Sequence, residues 1–211
     1  MMAHDCKIKA SADQKQIKGQ EGLILTHDNF RGRRREHPVQ LFPTFGTKKV
    51  MIAFLGMGLL GSNFVRALIS KGEQVQVWNR TASRATALET YGAKAFGEAA
   101  DAVKGASRIH LTLKDDHTVN EVLAAAAAGL TPGAVIIDHT TTSADGAVQR
   151  TKEWKERGFT YLHAPVFMGP QNALESTGYM LVSGDQAVIA GLEPELAKMT
   201  GITPPEFTLS G

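Results

Sequence analysis

Three glycines, at positions 56, 58 and 61, close one apolar run and open another in the stretch VMIAFLGMGLLGSNFV at 50–65. The spacing G-x-G-x-x-G suits a pyrophosphate: Gly56 permits a tight turn, Gly58 lets the backbone approach the anion, and Gly61 lets a helix pack closely on a strand. The helix that begins here directs its free N–H groups at the negative charge, so Met57, Leu59 and Leu60 join the three glycines as expected cofactor contacts. The next apolar strand ends in Trp78 and is followed by Asn79-Arg80-Thr81. A site for NAD places a carboxylate there, on the ribose 2′-OH. Here a guanidinium stands instead. Arg80 reads either as the partner of a 2′-phosphate, with Asn79 and Thr81 as neutral donors and Arg84 as a second charge, or as a solvated strand-end residue. The missing carboxylate favours the first reading, and NADP as the cofactor.

Other polar clusters carry less. Asp115, Asp116 and His117 are consecutive, so their side chains diverge, and helix capping fits them better than a metal site. His110 lies inside a strand pattern, where packing or a hydrogen bond explains it. Thr140 to Ser143 read as capping hydroxyls. Cys6 is the only cysteine, which excludes an intramolecular disulfide and a cysteine-based zinc site and favours a reducing, cytoplasmic compartment. No metal site is expected.

These residues need elements to position them, and from Lys49 onward short β-type runs alternate with helical segments. Strands are expected at 50–55, 74–78, weakly at 93–96, and at 108–113, 134–138, 159–164 and 178–183. Helices are expected near 60–71, 82–91, 97–104, 117–128, 143–157 and 185–199, with Ser143 as an N-cap. Such alternation implies right-handed βαβ crossovers and an α/β fold, a Rossmann-type, doubly wound, mostly parallel sheet.

With 211 residues, 43% of them apolar, the chain holds one ordinary domain plus appendages. Residues 1–49 carry 10 Lys/Arg against 5 Asp/Glu, which leaves 13 basic against 16 acidic residues in the remainder from totals of 23 and 21. Residues 1–48, with RGRRREHP at 31–38, lack a periodic apolar face and are expected to be a basic, disordered extension. Asp5, Asp13, Glu21 and Asp28 argue against a mitochondrial presequence. The longest apolar run is about half of the ~20 residues that span a bilayer.

Four segments, IAFLGMGLLGSNFVRALISKGEQVQVWNRT, IHLTLKDDHTVNEVL, GAVIIDHTTTSADGA and YLHAPVFMGPQNALESTGYMLVSGD, occur in this order. Together they resemble the N-terminal domain of the β-hydroxyacid dehydrogenase family, which includes 3-hydroxyisobutyrate and 6-phosphogluconate dehydrogenases. The resemblance covers about residues 49–199. It implies hydride exchange between a nicotinamide cofactor and a hydroxyacid, semialdehyde or keto acid. It places Leu113 and Lys114, where the family has Leu-Pro, beside the cofactor's nicotinamide half. It matches Thr141 to the threonine of the family's Asp-x-Ser/Thr-Thr pattern, near nicotinamide and substrate. Where the family has Asp-Ala-Pro-Val-Ser-Gly-Gly, this chain has His163-Ala164-Pro165-Val166-Phe167-Met168-Gly169. Phe167, Met168 and Gly169 thus stand at the substrate position with bulky apolar groups in place of serine and glycine, which points to a larger or less polar carbonyl or imine, as in the related imine reductases. His163 is a candidate acid, although a histidine at a strand end is more often structural.

The resemblance further implies a catalytic lysine on the long helix that begins an all-helical C-terminal domain. By the family's spacing it falls just past residue 211, and Lys198 is too early for the role, so no catalytic residue is assigned. The NADP-binding domain is expected over 49–184, followed at 185–211 by the start of an interdomain helix and an irregular end, with the helical domain absent. A homodimer is expected only with that domain, alongside a small-molecule substrate and no membrane or nucleic-acid partner. A non-catalytic NADPH-binding module with a basic tail for an acidic partner is the competing reading.

Overall fold

The computed structural model describes residues 50–200; the expected basic extension and the residues after 200 lie outside the described residues. Six strands, β1 (Met51–Leu55), β2 (Gln74–Trp78), β3 (Lys94–Ala95), β4 (Arg108–Leu111), β5 (Val135–Asp138) and β6 (Thr160–His163), form one sheet in the order β3-β2-β1-β4-β5-β6. Every neighbouring pair is parallel. The order reverses between β1 and β4, and the loops after their C-terminal ends therefore diverge and leave a crevice.

Alternating side chains fill a core on each face of the sheet. Ile52 and Phe54 point to one face, where α1 (Leu59–Ser70), α6 (Pro170–Glu175) and α7 (Gln186–Leu196) supply Phe64, Val65, Leu68, Ala173 and Leu196. Ala53 and Leu55 point to the other, where α3 (Ala99–Val103), α4 (Asp116–Ala126) and α5 (Ala144–Glu156) supply Ala102, Val103, Val119, Leu123 and Trp154. Burial on both faces is why the strands read as unbroken apolar runs. The expected α/β, doubly wound parallel sheet is thus the fold observed. Among the described residues, no helix is long and apolar enough to cross a membrane.

Several elements differ from expectation. The segment 82–91 is a short α2 (Ala82–Thr86) followed by a 3₁₀ turn (Ala87–Tyr91) that ends on Gly92 in the left-handed region. The stretch 178–183 divides. Tyr179–Met180 forms β8, antiparallel to β7 (Val166–Phe167), and Ser183 exchanges backbone bonds with His163 at the edge of the main sheet. Helix α6 was not expected at all. Pro170 starts it at a position where the missing N–H costs nothing, and Asn172 Oδ1 accepts the Gly169 N–H at 3.0 Å. The boundary expected at residue 184 falls inside this packed body, because α7 lies on the same face as α1 and α6. Its C-terminal end is tied down by Glu195 to Arg108 (2.8 Å) and by Lys198 to Glu73 (2.7 Å), both at the N-terminal edge of the sheet.

Candidate active site at the strand switch point

Gly56 follows β1 with φ +103°, and a Cβ on it would lie 2.2 Å from the Thr112 carbonyl oxygen. The turn therefore needs glycine for its conformation and for space. At Gly61 a Cβ would come within 2.1 Å of the Gly56 carbonyl oxygen and 2.4 Å of the Thr112 hydroxyl, the close packing of helix on strand that its position implied. Gly58 is the N-cap of α1, and a Cβ there would meet nothing within 4 Å, so the space before it opens on the cleft. Helix α1 has no side-chain cap and no acidic residue in its first turn. Ser62 makes the first intrahelical bond, to Gly58 at 3.0 Å, which leaves the N–H groups of Leu59, Leu60 and Gly61 without helical acceptors. Uncapped donors beside open space suit an anionic ligand.

A cleft of about 490 Å³ crosses this turn. Asn79, Arg80, Thr81 and Arg84 line one end, Gly56 and Gly58 the middle, and Thr112, Leu113 and Lys114 the other end. Arg80 and Arg84 are exposed, and neither pairs with a carboxylate among the described residues. The amide of Asn79 also has a structural duty that the motif does not announce. Its Oδ1 accepts the Met57 N–H at 2.9 Å and its Nδ2 donates to the Thr81 carbonyl at 2.9 Å, so it fastens the glycine turn to the end of β2. The cleft also takes in Trp78, Thr118, Glu121, Val122 and Ala125, which the motif reading did not include; those on α4 are set by helical periodicity and carry no local motif.

The loops after β4 and β5 form one bonded unit. Thr112 donates its hydroxyl to the Gly56 carbonyl at 2.9 Å, and Thr140 Oγ1 accepts the Leu113 N–H at 3.0 Å. Asp138, fully buried, accepts the Thr140 N–H at 2.9 Å and the Tyr161 hydroxyl at 2.5 Å. Burial, together with the Asp138 charge, pushes the Tyr161 hydroxyl far above its ordinary pKa, so it remains a donor. Thr141 is exposed on this loop, and Lys114 is exposed with Asp115 at 3.8 Å. Phe167 (62% exposed) follows β6 on β7, Met168 is half-buried, and Gly178, at φ +101°, brings its α-carbon against Met168. Neither Thr141 nor residues 167–169 line the cleft at the glycine turn; they follow the C-terminal ends of β5 and β6 beside it.

The acid–base candidates resolve separately. His163 Nε2 lies 3.2 Å from the Thr142 hydroxyl and 3.2 Å from the Thr140 carbonyl, and the ring faces a groove beside α5 away from the glycine turn. His110 and His139 are buried, stacked, and joined Nδ1 to Nε2 at 2.9 Å, with His139 Nδ1 bonded to the Ala164 carbonyl at 3.0 Å. Desolvation lowers both, His139 to about 4 and His110 well below its ordinary value, so both rings are neutral core groups at pH 7. Asp115 caps α4, accepting the Thr118 N–H at 2.8 Å. Asp116 does not cap: it crosses to the Ser143 N–H at 3.0 Å and to Arg150 at 2.7 Å. Lys198 is paired at the opposite sheet edge from the cleft. Among the described residues no cluster of His, Cys, Asp and Glu could hold a metal ion.

Comparison with known proteins agrees with this geometry. An uncharacterized oxidoreductase of Shewanella frigidimarina is 30% identical over 150 residues, which cover 69% of this chain and 52% of that protein. Glyoxylate/succinic semialdehyde reductase 2 of Arabidopsis thaliana is 29% identical over 150 residues, covering 70% of this chain and 42% of the reductase. The structure of Mycobacterium tuberculosis 3-hydroxyisobutyrate dehydrogenase with L-serine superposes with a TM-score of 0.71 at 26% identity, over 74% of this chain and 53% of the enzyme. The chain thus spans about half the length of these relatives. The profile of the NAD-binding domain of 6-phosphogluconate dehydrogenase matches residues 51–207, every strand and loop of the cleft included. The chain therefore belongs to the family of the NAD-binding domain of 6-phosphogluconate dehydrogenase.

Proposed function

We propose that this chain forms the NADP(H)-binding part of an oxidoreductase that exchanges hydride with a hydroxyacid- or semialdehyde-like substrate. The observation that carries the reading is the end of β2, where Arg80 and Arg84 line the cleft and no carboxylate takes the ribose position. A guanidinium fork matches a 2′-phosphate in shape and charge, whereas a free ribose hydroxyl offers it one neutral acceptor and no charge to pair. The uncapped start of α1 binds the pyrophosphate, and the loops at 112–114 and 140–141 flank the nicotinamide. When bound, the nicotinamide supplies the hydride acceptor or donor.

Substrate would lie beyond that loop pair, against Thr141, Phe167, Met168 and Gly169. Between Ala164 and Val182 the one charged residue is Glu175, so this wall offers no cation to a carboxylate. An apolar carbonyl or imine fits it better than a small hydroxyacid. For proton exchange, His163 is occupied by Thr142 and Thr140, and Lys198 is at the far edge. These contacts support a general acid–base outside residues 50–200, and Lys114, exposed in the cleft, is the described residue to test against that reading.

The test is a panel of semialdehydes, keto acids and imines with NADPH, assayed with the 211-residue chain while binding is followed by fluorescence. Binding with little or no turnover is the expected result. Rapid turnover by this chain would give the proton-transfer role to a described residue, Lys114 first.

A further inference from the structure

Arg150 is 2% exposed, on the inner face of α5, and its guanidinium reaches the loop after β5 and the first turns of α4, the helix that follows the loop after β4. Its Nη2 donates to the Thr142 hydroxyl at 2.9 Å, in the loop after β5. Its Nη1 lies 2.7 Å from Asp116 and 3.3 Å from Asn120 Oδ1, both on α4, which opens directly after Leu113 and Lys114. Its Nε donates to the Tyr161 hydroxyl at 2.8 Å, which in turn holds Asp138 beneath Thr140. Asp116 completes the circuit by accepting the Ser143 N–H at 3.0 Å.

A buried cation bonded on three sides fixes its partners because a displaced partner would leave charge unpaired in a low-dielectric interior. Gly146 shows how closely this circuit is fitted. A Cβ there would sit 2.2 Å from Asp116 Oδ1 and 2.8 Å from the Ser143 hydroxyl, so glycine on α5 leaves the room that Asp116 uses. A dinucleotide spans the crevice of such a sheet, and with its adenosine phosphate on Arg80 the remaining half falls on the loops that Arg150 joins.

We propose that Arg150 is a positioning residue for the nicotinamide half of the cofactor site, holding the loops at 112–114 and 140–143 in one fixed relation through Asp116, Thr142 and Tyr161. The inference rests on the reading that the chain binds a nicotinamide dinucleotide, and it predicts that the two halves of that ligand respond differently when the circuit is cut.

The experiment uses the full chain with two probes: NADPH, whose nicotinamide emission reports ring environment, and adenosine 2′,5′-bisphosphate, which has only the adenosine end. The variants are Arg150→Met, Thr142→Val and Gly146→Ala. Alanine is the better helix former by about 1 kcal/mol, so a defect in Gly146→Ala does not come from a weaker helix. Each variant should bind NADPH about tenfold more weakly and lose its emission change, while bisphosphate affinity stays within about twofold. Equal weakening of both probes, or no change in NADPH binding and emission for Thr142→Val and Gly146→Ala, overturns the proposal. Failure of the unaltered chain to bind either probe overturns the dinucleotide reading and this inference with it.

Discussion

The Thr112 hydroxyl donates to the Gly56 carbonyl at 2.9 Å, and it does so across the two strands where the sheet order reverses. The bond fastens the glycine turn to the loop after β4. Gly61 leaves the space for it, since a Cβ there would collide with both partners.

Gly58 and Gly61 should therefore fail in different ways. Gly61→Ala overpacks the turn and should cost roughly 1–3 kcal/mol of stability along with cofactor binding. Gly58→Ala meets no protein atom, so stability should stay within about 1 kcal/mol, yet NADPH affinity should fall because the methyl group enters the cleft. Denaturant melts beside NADPH titrations check the contrast. Equal effects at the two positions would contradict it.

The His110–His139 pair makes the domain sensitive to mild acid. Both rings have depressed folded-state pKa values, so the unfolded chain binds more protons as pH falls below the ordinary value of 6.5. Their contribution to stability is complete above about pH 6.5 and is lost as pH falls toward 4, by about 1.4 kcal/mol per pH unit for each ring. The lowered carboxyls of Asp115, Asp116 and Glu195 add their losses only in the more acidic range. Urea unfolding between pH 7.5 and 4.5, at half-unit steps, should show the decline begin near 6.5; a flat profile down to pH 5 would refute neutral burial.

Lys198 is a structural ion-pair residue here. Lys198→Ala leaves the largely buried Glu73 carboxylate without its partner and should cost roughly 1–3 kcal/mol, while NADPH affinity stays unchanged. A selective loss of cofactor binding would return it to the active-site candidates.

Phe167 stands exposed on β7, opposite Tyr179. In the catalytically active protein, Phe167→Ser should leave cofactor affinity within about twofold and raise kcat/KM for carboxylate-bearing aldehydes relative to apolar ones. Unchanged relative kcat/KM values across the substrate panel would remove Phe167 from the substrate wall.

The sheet was legible because parallel strands buried on both faces leave apolar runs, and Gly56 and Gly61 were legible because their roles are steric and local. Helix α6 was hidden by Pro170, which reads as an interruption yet serves as a first helical residue. The Arg150 circuit was hidden for a different reason. Its contacts join residues far apart in the chain, Asp116 with Ser143 and Arg150, and Asp138 with Tyr161, so no spacing rule announces them. The bond from Met57 to Asn79 was hidden because its direction, back from the strand end to the glycine turn, is not encoded in a strand-end motif.

The central claim, preference for NADP(H) through the end of β2, is tested most directly by the dissociation constants of NADPH and NADH for the unaltered chain and for Arg80→Ala. A charge-assisted bond to the 2′-phosphate contributes roughly 1.5–3 kcal/mol, or one to two decades. The account predicts that the unaltered chain favours NADPH by about that factor and that Arg80→Ala loses it while NADH binding is unchanged. Equal affinities in the unaltered chain, or a variant that keeps the preference, would contradict it.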